Sequence, residues 1–243
     1  MIQTLKTYFG YDSFRPLQKE IIENLLNHKD SLVLMPTGGG KSICYQLPAL
    51  LSEGTAVVVS PLISLMKDQV EALRANGIAA GALNSSIDET ESANLRRACI
   101  EGKLKLLYIS PEKLINEVDY LFRDMSISLF AIDEAHCISQ WGYDFRPAYL
   151  RIADVREYFP GVVILALTAT ATPAVVKDIQ QQLRFETPRV LSKSFRRENI
   201  SYVIRETEAK PLELYNILSK VRGGAIVYVR TREKASSVAA FLN

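Results

Sequence analysis

A chain of 243 residues, 48% apolar and 23% charged, with ordinary glycine and proline content, has the makings of one large α/β core and part of a second; its composition is neither disordered nor fibrous. The net charge of +2 divides into +4 over residues 194–243 and −2 before them, so bulk charge announces no polyanion-binding surface. Cys44, Cys99 and Cys137 lie far apart, with only two histidines in the chain, which argues against both a disulfide framework and a zinc site. No run of 18 apolar residues occurs and Met1–Gly10 carries a single lysine and no long apolar run, so neither a membrane span nor a signal peptide is expected, and the expected compartment is the cytoplasm.

In chain order, a helix is expected over Leu17–Asn27, with Pro16 in its first turn, where a missing N–H is tolerated. Aliphatic and β-branched runs then mark strands at Ser31–Met35, Ala56–Ser60, Leu104–Ser110, Ser128–Asp133 and Val162–Thr168, each followed by an amphipathic stretch. That alternation predicts an α/β fold, a parallel sheet with helices on both faces. Leu62–Asn76 puts Leu62, Leu65, Met66, Val70 and Leu73 on one helical face and stops at Gly77, which suits a left-handed cap. After Thr187-Pro188 the pattern restarts, with strands expected at Ser201–Arg205 and Ala225–Arg230 and helices at Lys210–Val221 and Arg232–Leu242. The reading is a first domain over 1–193 and the start of a second over 194–243, because two βα units do not close a sheet core.

Each first-domain strand ends in a polar cluster: Thr37-Gly38-Gly39-Gly40-Lys41, Ser60-Pro61, Ser110-Pro111, Asp133-Glu134-Ala135-His136 and Thr168-Ala169-Thr170. Ligands of open parallel sheets bind beyond the carboxyl ends of the strands, so the five clusters are expected on one edge. Met35–Ser42, between a strand and a helix, reads as a phosphate-binding loop. Its glycines let N–H groups turn inward, Lys41 reaches the β and γ phosphates, and Ser42 ligates Mg²⁺. Met35 stands where the usual pattern has its first glycine, and the bland alternative is a Gly-rich turn beside a solvated lysine. Asp133, at the tip of an apolar strand, is expected to hold the Mg²⁺ shell, with Glu134 as base or water-orienting group. Loop and acidic pair together point to ATP hydrolysis.

With these residues in view, the chain resembles superfamily 2 helicases and, within them, the RecQ family of DNA helicases, from Phe9 through Phe241. Asp133-Glu134-Ala135-His136 matches the family's DEAH box, and Cys137-Ile-Ser-Gln-Trp-Gly-Tyr-Asp-Phe-Arg-Pro-Ala-Tyr149 resembles its aromatic-rich loop. The resemblance implies a RecA-like first lobe, an incomplete second RecA-like lobe, and a catalytic role for His136 beside Lys41, Asp133 and Glu134. Phe9–Gln18 is similar to the family's motif 0, implying Tyr11 stacked on adenine, Gln18 reading its edge and Arg15 nearby, next to Thr37, Gly38, Gly39, Gly40, Lys41 and Ser42. Ser60 with Lys67, and Ser110, match motifs that touch the strand backbone, although the serines read equally as helix N-caps.

Thr168-Ala-Thr-Ala171 matches the motif that links hydrolysis to lobe movement. In the aromatic segment, Trp141 and Phe145 are expected to stack on bases, at about 1–3 kcal/mol each, and Arg146 to meet phosphate or ring, while Tyr149 is expected to pack in the core. The chain departs from the family at Tyr143 and Ala148, usually His and Glu, and at Arg196 and Glu198, commonly Asp and Pro. The implied function is an ATP-dependent DNA helicase motor with Mg²⁺, moving 3′ to 5′ on single-stranded and partly duplex DNA, nucleoid-associated if bacterial. The motifs supplying an arginine finger, worth about 10³–10⁵ in rate, are expected beyond Asn243, so this chain should bind nucleotide weakly and hydrolyse it poorly. Two alternatives stand: a DEAD-box RNA helicase, against which His136 and the aromatic loop argue, and a nucleotide-gated binding module without hydrolysis. No protein partner is legible.

Overall fold

A computed structural model describes residues 1–142, 144–187, 189–194 and 199–242 of the chain. It divides into two units, Met1–Phe195 and Arg196–Asn243. The departures at Tyr143, Arg196 and Glu198 fall outside the described residues.

The first unit is built on β1 (Ser31–Leu34), β2 (Thr55–Val59), β3 (Ala80–Leu83), β4 (Leu106–Ile109), β5 (Ile127–Ile132), β6 (Val163–Thr168) and β7 (Val190–Ser192). The sheet order is β3-β4-β2-β5-β6-β1-β7 and every pairing is parallel. Alternate residues feed two layers: Val57 and Val59 pack into one, Ala56 and Val58 into the other. With β1, β2, β4 and β6 wholly buried, helices cover both faces, as a parallel sheet requires.

Five strands are the apolar runs of the sequence; β3 and β7 are not among them. Ala-Gly-Ala-Leu has no β-branched residue, and it is the pairing of Ala80–Leu83 with Leu106–Ile109 that makes it a strand, an example of tertiary context overriding propensity. Pro16 also lies elsewhere than expected. The helix begins at Gln18, and Leu17, at φ 71°, turns the chain between them. The helix Ile63–Ala75 buries Met66, Val70 and Leu73, but Leu62 precedes it and is 47% exposed. Gly77, at φ 75°, closes that helix, donating to Arg74 O at 3.0 Å while Ile78 N reaches Leu73 O at 3.0 Å.

The second unit corrects the sequence reading. Its helices form at Lys210–Leu218 and Arg232–Leu242, but 201–205 and 225–229 are not strands. A helix satisfies its own N–H groups, whereas a strand needs a neighbour, and Ile204 and Tyr228 stand 93% and 89% exposed. The two helices meet through an edge-on contact of Tyr215 and Phe241, ring centroids 6.5 Å apart. No helix among the described residues is long and apolar enough to cross a membrane.

Candidate nucleotide site and strand face

The register brings the strand ends level: Leu34 is opposite Thr168, and Val59 is opposite both Ile109 and Ile132. The residue after each strand still hangs on its neighbour. Met35 N donates to Thr168 O at 3.1 Å, Asp133 N to Val59 O at 2.9 Å, Ser60 N to Ile109 O at 3.1 Å and Ser110 N to Leu83 O at 3.2 Å. All five polar clusters therefore stand along one edge, where a cleft of about 510 Å³ opens. Its walls bring together Tyr11, Arg15 and Gln18 from before β1, Thr37, Gly38, Gly40, Lys41 and Ser42 from the loop after it, and Asp133 and Glu134 from the end of β5.

The loop is shaped by glycine. Gly38 and Gly40 hold φ of 76° and 86°, a region disfavoured for any residue with a Cβ. Gly39 lies outside the cleft lining, and a Cβ there would stand 2.8 Å from Pro36 O. Two side chains brace the turn from outside: Arg15 Nη1 donates to Gly38 O at 2.7 Å and Gln18 Nε2 to Gly40 O at 2.9 Å. Gln18 Oε1 accepts from Arg15 N at 2.8 Å, so both ends of this buried amide hold protein. Reading a base would require exchanging those bonds. Tyr11 stands at the exposed rim.

At the acidic pair, Glu134 has φ 49° and ψ 45°, a left-handed conformation costing a non-glycine residue about 1–2 kcal/mol, the kind of strain found at functional sites. Its carboxylate lies 4.0 Å from Lys41 Nζ and 3.3 Å from His136 Nδ1. The His136 contact, with Lys41 adding, holds Glu134 below the ordinary carboxylate range against its burial. Asp133 is pushed the other way, by burial first and then by Glu134, with Lys41 opposing. A partly buried carboxylate raised by desolvation and by a second carboxylate beside it, with Ser42 in the same cleft, suits a divalent cation. His136 is held up at about 9 by the neighbouring Cys137 sulfur and by Glu134, so its imidazole is charged at neutral pH.

Several side chains join the site through contacts that their sequence positions did not announce. Thr168 Oγ1 sits 3.0 Å from His136 Nδ1, joining the ends of β5 and β6. Tyr149 is buried, as expected, yet its hydroxyl donates to Asp133 O at 3.1 Å. Tyr45 and Tyr108 line the inner cleft with their hydroxyls 3.3 Å apart. The spacing of Tyr45 three residues after Ser42 on a helical path was a usable signal; nothing local marked Tyr149.

Of the residues assigned to the strand, Trp141 is 79% exposed, Phe145 partly buried and Lys67 well exposed beside Glu71 at 3.9 Å. Arg146 reaches Pro61 O at 3.3 Å and Asp144 at 3.2 Å, fastening the aromatic segment to the end of β2. Ser60 is not on the surface. It is buried, its Oγ has no hydrogen-bond partner among the described residues, and it lines the nucleotide cleft, because β2 is central and packed on both faces. Ser110 is buried as well, its Oγ accepting from Lys113 N at 3.4 Å as a helix cap.

Residues 15–179 match the model of the DEAD/DEAH box helicase family. The chain is 47% identical over 241 residues to the ATP-dependent DNA helicase RecQ of Pasteurella multocida, covering 98% of this chain and 38% of that protein. Its identity to the RecQ helicase of Bacillus subtilis is 45%, covering 96% of this chain and 40% of the relative. It thus spans about two fifths of the length of these relatives. The crystal structure of the helicase MrfA shares the RecA-like α/β fold, with a TM-score of 0.75 at 19% identity over 99% of this chain and 40% of that one. The chain belongs to the DEAD/DEAH box helicase family, and within it to the RecQ group.

Proposed function

We propose that this chain is the nucleotide-binding part of an ATP-dependent DNA helicase that moves 3′ to 5′ along single-stranded DNA, and that residues 194–243 begin its second lobe. Family membership implies use of a nucleotide; the convergence of glycine loop, lysine and acidic pair in one cleft carries the assignment to ATP. In this reading Ser42 and Asp133 would hold Mg²⁺, which when bound would neutralise phosphate charge.

The chain's own groups are poised around Lys41. Its ammonium rests near Glu134, and an arriving γ-phosphate competes for it, leaving the Glu134 carboxylate to orient the attacking water. Because Glu134 is held ionised, it accepts a hydrogen bond from that water at neutral pH. His136 ties Glu134 to Thr168 and so to the segment after β6. Exposed Trp141 and Lys67 offer a stacking face and a cation to a single strand, with Arg146 bridging to the end of β2. The cytoplasm is the proposed location.

The test is ATP hydrolysis by the full-length protein with single-stranded DNA, with RNA, and with neither, alongside Glu134→Gln. Stimulation by DNA, with the variant losing about 10²–10⁴ of the rate, supports the reading. Preference for RNA would move the assignment to an RNA helicase, and no hydrolysis at all to a nucleotide-gated module.

A further inference from the structure

We propose that His136, Cys137 and Asp144 form a binding site for a borderline-soft divalent cation of the Zn²⁺ type, which would pin the aromatic segment to the DEAH box. One imidazole nitrogen, the Cys137 sulfur and an Asp144 carboxylate oxygen lie within 4.8 Å of one another. The Cys137 Sγ already faces Asp144 Oδ2 at 3.9 Å. Imidazole, thiolate and carboxylate are zinc donors, whereas Mg²⁺ and Ca²⁺ take oxygen ligands.

Neighbouring sequence positions do not predict this cluster; the backbone makes it. Gly142 N bonds to Ser139 O and Arg146 N returns to Cys137 O, each at 2.9 Å, which brings Asp144 back toward Cys137. Gly142 permits the fold, since a Cβ there would stand 2.5 Å from His136 O.

Tetrahedral zinc spaces its nitrogen and sulfur donors by about 3.5 Å, so the group must close slightly. Asp144 can supply that movement: its side chain is 51% exposed, and its partner Arg146 keeps the Pro61 carbonyl on release. Buried Cys137 forms the floor, and the Asp144 side gives entry for the ion and for a water in the fourth position.

Cobalt titration of the 243-residue chain at about pH 8 tests the site, since thiol and imidazole must lose protons on ligation. The expected result is a near-ultraviolet thiolate-to-cobalt band saturating at one equivalent. Zn²⁺ should displace it, excess Mg²⁺ should not, and Trp141, the one tryptophan of the chain, should be quenched alongside. Cys44 and Cys99 do not compete, because among the described residues neither belongs to a cluster of three metal donors.

Cys137→Ser should abolish the band. Asp144→Asn, at an exposed position that leaves the core intact, should weaken cobalt binding at least tenfold. No band in the unaltered chain, a band surviving Cys137→Ser, or affinity untouched by Asp144→Asn each overturns the proposal, as does cobalt binding lost only in Asp133→Asn.

Discussion

Single residues in this cleft do more than one job, and the geometry separates the jobs. Gly40 is required both by its φ of 86° and by Gln18 Nε2, which would lie 2.5 Å from a Cβ. Gly40→Ala is expected to lower stability by about 1–2 kcal/mol from the backbone alone, and to weaken nucleotide binding as Gln18 is displaced. Denaturant unfolding and fluorescent-nucleotide titration check both, and a variant normal in each would show that the loop relaxes freely. His136, raised from 6.5 to about 9, stabilises the fold in its charged form. That stability is fully present below pH 6.5 and is lost as pH rises through about 9. The first unit's melting temperature should fall across that window, and His136→Asn should flatten the fall; an unchanged slope would assign it to another group.

At the scale of elements, the site depends on how strand ends are tied to the segments that follow them. Tyr149, in the short helix Pro147–Leu150, reaches back to the Asp133 carbonyl. Tyr149→Phe keeps the packing and removes one partly buried hydrogen bond, so a loss of about 1 kcal/mol is expected in thermal unfolding. A neutral result would mean that the carbonyl finds another donor. Ser110 caps the helix Pro111–Glu117, and Ser110→Ala should cost about 0.5–1 kcal/mol. If the same variant in the full-length protein also binds single-stranded DNA less tightly, the serine holds its helix toward phosphate; stability loss alone would leave it a cap.

Over the whole molecule, the two units differ in what holds them. Strands β4, β2, β5, β6 and β1 lie inside the sheet with neighbours on both sides, and their amides should exchange hydrogen slowest. No residue of the helices Lys210–Leu218 and Arg232–Leu242 is buried, so amides over 199–242 should exchange near the rate of an open chain. Protection there approaching that of β5 would contradict this account. The short, buried, apolar run was readable as a strand wherever it was β-branched, as in Thr55–Val59, and unreadable where it was not, as in Ala80–Leu83.

What the sequence determined by itself is what is local. Periodicity marked five strands, the helix Ile63–Ala75 and its cap at Gly77, and contiguous residues spelled out the glycine loop and the acidic pair, because these depend on spacing within a few positions. Tertiary structure decided everything that depends on a distant partner. It turned Gln18 onto the loop, buried Ser60 at the cleft, gave the Tyr149 hydroxyl to Asp133, and left 201–205 and 225–229 without strand pairing. It also set Cys137 and Asp144 beside His136, where the spacing of cysteines and histidines had argued against a zinc site. The physical reason is the same throughout: backbone pattern is written in neighbours, whereas a side chain's partner is fixed only when strand register and returning loops have closed.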